Sequence, residues 1–546
     1  MNTLARCLFF AAMLVGQATA SSLVDGAWLA KSLESPEVLV LDASPRPMHN
    51  RAHIPGAVPV DVMQFMLASF SGRDVQPQDL EPMYQAAGID AGRRIVIYDQ
   101  GGTWFAPRLF FQLAYHGFPA EKMAILDGGL AKWQADGRPV TKDATPAPKP
   151  GTFKVARVNE QLRTRPAELV AASGERKANA LVDAMGVDNH YGAGAFGRGG
   201  HIPHALSMPA EDFYNADKTF KSPDEIRRMA SIMGIRPDQQ VHAHCGGGGA
   251  AAVPYFALKH LAGHDKVKLS IESQMGWLQD DRELPYWTYG APSMMRDAEW
   301  LPAWGGRMMR MYGVSKVSVV DVRPPAAYAQ GHVPFALNVP ADTFRAHAGD
   351  PKKMAELLGA SGVNPTHEAV IVSGGGVTKD AALAYLALER LGQKKVSIFM
   401  DSFDSVEALD KMARANFGLT REATLVGKPT KPTDMAVAPV NYVPSVREDL
   451  IAGSKPAGAH PRVYIASGTA SPRRAVDGKF VHVPYTELLK ADGTPKAAKD
   501  IWAVLSKAGV PRYAEIVLFA DDPAEAAVNY FVMRLMGFPD VKVLAI

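Results

Sequence analysis

One internal cysteine carries most of the chemistry that this sequence offers. The chain of 546 residues holds two cysteines, Cys7 near its N-terminus and Cys245 at the end of a short β-like run. Four glycines follow Cys245 directly, and a helical stretch begins near Ala250. A lone cysteine is either a buried apolar residue or a reactive nucleophile. The glycines alone leave these two interpretations even, because a glycine run can also be a plain turn; the repeats described below favour the reactive thiol.

A run of glycines after a thiol predicts an anion-binding loop. Glycine has no Cβ, so such a run can curl until successive N–H groups point inward. The positive N-terminal end of the following helix adds to the effect. A loop of this kind stabilises a thiolate without a fixed cation, and we expect positive φ at its middle residues, Gly247 and Gly248. The predicted substrate-binding residues of the loop are Gly246, Gly247, Gly248, Gly249 and Ala250.

The elements around the cysteine recur along the chain. Strand-like runs end in aspartate at Asp42, Asp183 and Asp321. A short element with a histidine follows, at His53, His201 and His332. Second β runs then end at four loop positions, Asp99, Cys245, Ser373 and Asp521. Alternate positions are 274 and 276 residues apart, which indicates a two-domain unit present twice, with the fourth copy the most degenerate.

Alternating β and α patterns predict an α/β protein of four domains, each with a mainly parallel sheet flanked by helices. Connectors rich in Pro, Gly and small polar residues separate the copies. The predicted domains are residues 21–145, 155–290, 295–425 and 437–546. Ligands in such folds bind beyond the carboxyl ends of the strands, which is where Cys245 and its loop lie.

These repeats resemble the rhodanese (thiosulfate sulfurtransferase) family. The resemblance rests on the strands ending in Asp, on GHIPHA, on the cysteine with its glycine loop, and on YDQGGTWFAPRLFFQL in domain 1. It covers nearly all of the chain after the first twenty residues and implies two tandem pairs of rhodanese-like domains. It also implies that Cys245 carries a sulfane sulfur as a persulfide. Domains 1, 3 and 4 are then inactive, because Asp99, Ser373 and Asp521 cannot hold that sulfur.

Several polar residues near the loop position have open roles. Relatives that use thiosulfate place Arg after the Asp-ending strand, whereas here Met185 follows. Arg198 is the best remaining clamp for an anionic substrate and His190 a weaker one, although a solvated loop face is an equal alternative. The histidines that recur in three copies indicate a structural turn. Two others on the strand before the cysteine, His242 and His244, are interpreted as packed strand residues, because they cannot converge with the cysteine on a metal.

Composition excludes several classes of function. The net charge is +3, 47% of residues are hydrophobic and 21% are charged. Like charges form no block, so neither nucleic acid nor an anionic membrane surface is predicted as a partner. The sequence has no haem motif and no dinucleotide fingerprint, and it predicts neither a cofactor nor a metal.

The first twenty residues predict a secretory signal. One positive side chain precedes the apolar run CLFFAAMLVG, and small residues end at Ala20. A membrane anchor is the alternative, but the run is short for a bilayer and no later segment is apolar enough to insert stably. We therefore expect a periplasmic or secreted protein, cleaved after Ala20, in which Cys245 is the only thiol.

The function expected from these observations is sulfur transfer. Cys245 takes sulfane sulfur from thiosulfate, polysulfide or a persulfide and passes it to a thiophilic acceptor by double displacement. The neutral loop favours polysulfide or a protein persulfide over thiosulfate. The expected partners are therefore small sulfur-containing donors and acceptors, or a protein persulfide. The alternative is a non-enzymatic sulfur or polysulfide carrier, or a partner-binding scaffold, in periplasmic sulfur metabolism.

Overall fold

The computed structural model describes residues 21–70, 75–194, 198–305, 309–310, 312–333, 335–402, 438–456, 458, 460–473, 475–478 and 480–545. The predicted signal at residues 1–20 and the predicted boundary between domains 3 and 4, residues 425–437, lie outside this part of the chain. The chain forms two compact units. Unit 1 comprises Met1–Arg165, Ala210–Pro223 and Ala243–Ser273. Unit 2 comprises Pro166–Pro209, Asp224–His242 and Gln274–Ile546.

The first sheet belongs to unit 1 and has parallel strands in the order β1-β5-β4-β2-β3. The strands are Leu23–Val24 (β1), Val38–Asp42 (β2), Val58–Pro59 (β3), Arg94–Tyr98 (β4) and Met123–Leu126 (β5). The helices along it are Gly26–Ser32 (α1), Arg46–His49 (α2), Met63–Phe70 (α3), Pro77–Ala86 (α4), Phe105–Tyr115 (α5) and Gly129–Ala135 (α6). Strands β2 and β4 are apolar and buried over almost their whole length, as parallel strands covered on both faces are.

The second sheet has the order β6-β10-β9-β7-β8 and contains the strand that leads to Cys245. Its strands are Arg163–Thr164 (β6), Asn179–Asp183 (β7), Leu206–Ser207 (β8), Gln240–His244 (β9) and Val267–Ser270 (β10). Its helices are Pro166–Gly174 (α7), Val187–His190 (α8), Pro223–Ile232 (α9), Ala252–Phe256 (α10) and Ser273–Leu278 (α11). Helix α10 continues into a π-helical turn at Ala257–Leu261, where Ala262 N–H donates to the carbonyl of Ala257 at 2.8 Å.

The third and fourth sheets belong to unit 2 and are parallel, in the orders β11-β15-β14-β12-β13 and β17-β16-β18-β19. The third contains Met295–Arg296 (β11), Val317–Asp321 (β12), Leu337–Asn338 (β13), Glu368–Val372 (β14) and Lys395–Phe399 (β15). The fourth contains Arg462–Ala466 (β16), Phe480–His482 (β17), Glu515–Phe519 (β18) and Val541–Val543 (β19). Their helices are Trp300–Gly305 (α12), Pro325–Gln330 (α13), Ala341–His347 (α14), Pro351–Ala360 (α15), Lys379–Arg390 (α16), Ala498–Lys507 (α17) and Pro523–Met536 (α18).

The predicted α/β architecture with four mainly parallel sheets is confirmed. Each unit buries a pair of helices that follow the second β runs. In unit 1, Phe110 of α5 meets Phe256 of α10 edge to face, with ring centroids 5.0 Å apart. In unit 2, Tyr385 of α16 meets Phe531 of α18 in the same way at 5.1 Å. These aromatic contacts fix the helices whose N-terminal ends face the loop positions.

Strand register corrects one of the predicted loop positions. Tyr98, the last residue of β4, pairs with Asp42, and Phe519, the last residue of β18, pairs with Ala466. The residue equivalent to Asp99 is therefore Ala520, and the prediction of Asp521 at this position was wrong by one residue. The loop of domain 4 lacks the glycines by which the other three loops align with one another. The sequence alone therefore did not fix which residue of domain 4 is equivalent to Asp99.

No helix in the described part of the chain has both the length and the apolar character that a membrane crossing requires.

Candidate functional site

Cys245 lies immediately after β9 and is 3% exposed. Its backbone N–H donates to Oγ of Ser273 at 3.1 Å, and that hydroxyl in turn donates to the carbonyl of Ser270 at 2.6 Å. Ser273 has a positive φ of 51°, which is unusual for a residue with a side chain. The end of β10 thus supports the backbone of the cysteine.

Ser273 was missed by sequence reasoning. The repeat aligns SIESQMGW with LDGGLAKW of domain 1, which puts Ser273 opposite Gly129. Gly129 also has positive φ, at 55°. The sequence signal for this positive φ was therefore a glycine, Gly129, at the equivalent position of domain 1.

The four glycines after Cys245 are all buried. Gly248 has φ +81°, and a Cβ built on it would lie 2.6 Å from the carbonyl oxygen of Ile271. The expectation of positive φ is confirmed at Gly248 but wrong at Gly247, which is not among the positive-φ glycines. A Cβ on Gly249 would lie 3.0 Å from the ring of Trp104, which approaches the loop within unit 1. Close packing on both sides explains why this segment excludes side chains.

The backbone of the loop presents a run of hydrogen-bond donors. Within the described ranges, no residue accepts a hydrogen bond from the N–H groups of residues 246–251. Helix α10 begins at Ala252, two residues later than expected, and Ala252 N–H donates to the carbonyl of Gly249 at 3.0 Å. Buried backbone N–H groups are nearly always paired. An unpaired run beside a thiol is suited to holding an anion.

The equivalent loop in domain 1 shows such an anion in place. The Asp99 carboxylate accepts hydrogen bonds from Gly101 N–H at 2.8 Å, Ala106 N–H at 2.9 Å and Oγ1 of Thr103 at 2.6 Å. Asp99 is 4% exposed. Burial raises the pKa of Asp99, and these three hydrogen bonds oppose that rise. This loop is a nest for negative charge, and its own side chain fills it.

Residues 210–223, from the predicted domain 2, cover the Asp99 loop within unit 1. Tyr214 donates its hydroxyl hydrogen to the carbonyl of Thr103 at 2.6 Å. Phe220 N–H donates to the Asp127 carboxylate at 2.8 Å. The cavity that remains beside Asp99 is about 10 Å³. It is too small for a sulfur donor, because even one water needs about this much space.

The recurring histidines are structural, as predicted. In domain 1, Nδ1 of His53 lies 2.9 Å from the carbonyl of His49, and the two rings stack with centroids 3.9 Å apart. In domain 2, His201 and His190 repeat this arrangement at 2.8 Å and 3.7 Å. Nδ1 of His332 lies 3.1 Å from the carbonyl of Tyr328 in domain 3.

The two residues predicted to bind an anionic substrate, His190 and Arg198, differ in burial and in the contacts that they already make. Nδ1 of His190 lies 2.8 Å from the Asp183 carboxylate, and the ring is buried. His190 is thus engaged by its own domain. Arg198 lies in unit 2 and is exposed, with its guanidinium 5.6 Å from the centre of the Tyr286 ring. A substrate contact by Arg198 stays a prediction.

The histidines on β9 are packed, as expected for strand residues. His242 and His244 are both buried, and Nε2 of His242 lies 3.0 Å from the side-chain oxygen of Asn179. In domain 4, the Asp521 carboxylate pairs with the Arg473 guanidinium at 3.0 Å. Arg473 is thus a partner of this carboxylate, whereas the Asp99 carboxylate of domain 1 accepts N–H groups of its own loop.

Comparison with known proteins finds similarity to rhodanese-like proteins. The model of the rhodanese-like domain matches residues 25–136 and 306–409, which fall in the first and third predicted domains. The sulfur carrier protein TtuD from Thermus thermophilus is 28% identical over 267 residues, which is 46% of this chain and 92% of that protein. A putative thiosulfate sulfurtransferase from Saccharopolyspora erythraea is 29% identical over 229 residues, which is 40% of this chain and 79% of that protein.

Among solved structures, SseA from Escherichia coli is described as a 3-mercaptopyruvate sulfotransferase with the rhodanese fold. It is 26% identical and has a TM-score of 0.41, covering 46% of this chain and 98% of its own. Each of these proteins accounts for less than half of the chain. Two regions of the chain match the rhodanese-like domain, and the relatives that it resembles are named sulfur carriers and thiosulfate sulfurtransferases.

Proposed function

We propose that the protein is a sulfurtransferase that carries sulfane sulfur as a persulfide on Cys245. The observation that supports this most is the pair of equivalent loops in unit 1. One loop binds the Asp99 carboxylate through its N–H groups, and the other presents its N–H groups beside a thiol. A loop that holds a carboxylate is suited to holding a thiolate or a persulfide anion.

The proposed reaction is a double displacement. The Cys245 thiolate attacks the outer sulfur of the donor, so that a new S–S bond forms and the donor's S–S bond breaks. The electron pair leaves with the departing group, which is sulfite when the donor is thiosulfate. A nucleophilic acceptor then attacks the terminal sulfur and the thiolate of Cys245 departs. Both steps conserve electrons and need no external oxidant.

Loop charge guides the choice of donor. Residues 245–251 contain neither lysine nor arginine, so the loop itself offers an anion backbone dipoles and no side-chain cation. Thiosulfate carries two negative charges, so a fixed cation would strengthen its binding. A polysulfide or a protein persulfide depends less on such a cation. We therefore propose polysulfide or a protein persulfide as the main donor. Arg198 is the residue that would assist thiosulfate.

A non-enzymatic sulfur carrier is the second candidate function. The relative from Thermus thermophilus is named a sulfur carrier protein, which favours this candidate. A carrier accepts sulfur on Cys245 as the enzyme does, but it releases that sulfur only to a specific protein partner. Both candidates therefore form a persulfide on Cys245, but only the enzyme turns over with small acceptors.

One experiment tests both steps. The purified protein is incubated with thiosulfate, polysulfide and a persulfide donor, and intact-mass spectrometry follows the addition of one sulfur atom to Cys245. We expect the adduct in the wild type and none in Cys245→Ser. Turnover with cyanide or a thiol acceptor identifies an enzyme, whereas an adduct without turnover identifies a carrier. The absence of any adduct with every donor would refute the proposal.

We further propose that the protein acts in the periplasm or outside the cell after cleavage at Ala20. The support is the pattern of the first twenty residues, which lie outside the described part of the chain. N-terminal sequencing of the protein from the cell envelope is expected to begin at Ser21. An uncleaved N-terminus in the cytosolic fraction would contradict it.

A further inference from the structure

The third loop, residues 373–377, keeps the glycine-rich form without the thiol. It follows β14 and leads into α16, which spans twelve residues from Lys379 to Arg390. The Oγ1 atom of Thr378 caps this helix by accepting the N–H of Ala381 at 3.1 Å. Gly375 and Gly376 have φ of +107° and +64°, so the loop folds back on itself as the loops of domains 1 and 2 do.

Ser373 places a buried hydroxyl in this loop. The residue is 4% exposed, and no hydrogen-bond partner of its Oγ exists among the residues that the structure describes. Leaving a buried polar group unpaired costs about 1–3 kcal/mol. Such groups are uncommon in native structures, and each calls for an explanation, such as strain, a catalytic role, or a bound water, ion or ligand.

The backbone donors of the loop divide into two sets. Gly376 N–H donates to the carbonyl of Met400 at 2.9 Å, and Val377 N–H donates to the carbonyl of Gly493 at 2.8 Å. Over the described ranges, the N–H groups of Ser373, Gly374 and Gly375 have no acceptor. Gly374 is exposed, and a Cβ added to it would meet nothing within 4 Å. At least one of the unpaired donors, the N–H of Gly374, therefore belongs to a residue that solvent reaches.

The Asp99 loop shows what completes such a site. Strand register gives Ser373 after β14 the position that Asp99 has after β4. The Asp99 carboxylate oxygens accept the loop N–H groups, whereas the serine hydroxyl extends only as far as the carboxylate carbon would. Asp99 therefore supplies acceptor oxygens for the N–H groups of its loop, whereas Ser373 has no carboxylate to supply them.

We propose that the Ser373 loop binds a small tetrahedral or pyramidal oxyanion, of the sulfite, thiosulfate or phosphate class. The N–H groups of Gly374 and Gly375 and the hydroxyl of Ser373 donate to its oxygens, and the N-terminus of α16 adds its dipole. Lys379 does not supply the charge, because its ammonium is paired with Asp522 at 2.9 Å. The site performs no covalent chemistry and is distinct from Cys245.

Hydrogen–deuterium exchange on the full chain tests this inference. The Cys245→Ser variant serves as background, so that sulfite and thiosulfate cannot react at the thiol. Peptides that cover residues 368–378 are followed in sulfite, thiosulfate or phosphate, against chloride at matched ionic strength. We expect the amides of Gly374 and Gly375 to exchange more slowly in an oxyanion, in a saturable manner. Unchanged exchange in all three oxyanions would overturn the proposal.

Substitutions at Ser373 provide the specific test. Ser373→Asp supplies the carboxylate found in domain 1, so it should abolish the effect of added oxyanion and slow exchange by itself. Ser373→Ala removes one donor and should weaken binding at least about fivefold. Ser467→Ala is the matched control, since Ser467 is another buried serine whose Oγ has no partner in the described ranges. Oxyanion protection that persists unchanged in Ser373→Asp and Ser373→Ala would refute the site.

The three probes also separate two sources of the ligand. Protection at lower concentrations of sulfite or thiosulfate than of phosphate would identify a sulfur-oxyanion site. The opposite order would identify a phosphate site. Both outcomes support the anion class, and a melting curve of each variant confirms that the chain is folded.

Discussion

The Asp99 loop and the Cys245 loop follow equivalent strands, β4 and β9, and each leads into a helix, but their N–H groups differ in whether they have an acceptor. The carboxylate of Asp99 satisfies the donors of its own loop, and residues 210–223 close the space beside it. The Cys245 loop keeps its donors unpaired within the described part of the chain. The comparison indicates that one side chain decides whether such a loop satisfies its own donors or leaves them for the proposed ligand.

Replacing Cys245 by Asp tests this directly and should have the largest effect. The substitution gives the second loop the residue of the first, so the carboxylate should accept the loop N–H groups. We expect persulfide formation and transfer to fall by more than about a thousandfold, because the nucleophile is gone. Mass spectrometry and turnover measure this loss. The chain should remain folded by circular dichroism, and residual transfer of more than a few per cent would show that another residue carries the sulfur.

Gly248→Val should have the next largest effect. Gly248 has φ +81°, and an added Cβ would lie 2.6 Å from the carbonyl oxygen of Ile271. We expect a loss of about 1–3 kcal/mol in the free energy of unfolding from backbone strain. A displaced loop should also slow persulfide formation by about tenfold to a hundredfold. Denaturant titration and stopped-flow kinetics measure the two effects.

Gly263→Val is the control for that substitution. Gly263 has φ +76°, but a Cβ there would meet nothing within 4 Å. The backbone strain in this variant is therefore similar, while the Cys245 loop is unaffected. Equal rates of persulfide formation in the two variants would mean that the shape of the Cys245 loop does not matter.

Asp99→Ala should affect stability and leave transfer nearly unchanged. It removes the acceptor of Gly101 N–H, Ala106 N–H and the Thr103 hydroxyl. Unpaired buried donors cost about 1–3 kcal/mol, so the free energy of unfolding should fall by this amount. A drop in transfer of more than about threefold at full folding would show that the two loops are coupled.

The pH dependence of the free energy of unfolding, compared between the wild type and Asp99→Asn, tests the protonation of Asp99. Because burial raises the pKa of Asp99, the folded state binds its proton more tightly than the unfolded state does. The wild type should therefore gain stability relative to Asp99→Asn as pH falls from the raised folded pKa towards the usual value of 3.8. Above the raised pKa the difference should be constant. A relative gain on raising the pH would contradict this sign.

Arg198→Ala should have the smallest effect. The guanidinium is exposed, and charged contacts at exposed sites are worth about 0.2–1 kcal/mol. We expect the KM for thiosulfate to rise about twofold to fivefold. Alkylation of Cys245 by a neutral reagent should keep its rate, since the loop N–H groups stabilise the thiolate. Slower alkylation in this variant would make Arg198 the main stabiliser of that anion.

Sequence reasoning reached the features that repeat and missed those that depend on distant contacts. The four sheets and the position of Cys245 followed from periodicity and from internal comparison. The support from Ser273 did not, because it comes from a strand end 28 residues away and depends on an unusual φ. The closure of the Asp99 loop was also hidden, because residues 210–223 belong to another predicted domain. The misplacement of Asp521 shows that register weakens where a copy loses its glycines.

The cover over the Asp99 loop has a consequence for the order of folding. The first sheet and its loop are complete in sequence by residue 135, where α6 ends, whereas Tyr214 and Phe220 follow about 80 residues later. A chain made from its N-terminus exposes this loop until those residues have emerged. The aspartate satisfies the loop donors during that interval without help from the rest of the protein. An early domain that carries its own anion can therefore reach a stable state before its neighbour is synthesised.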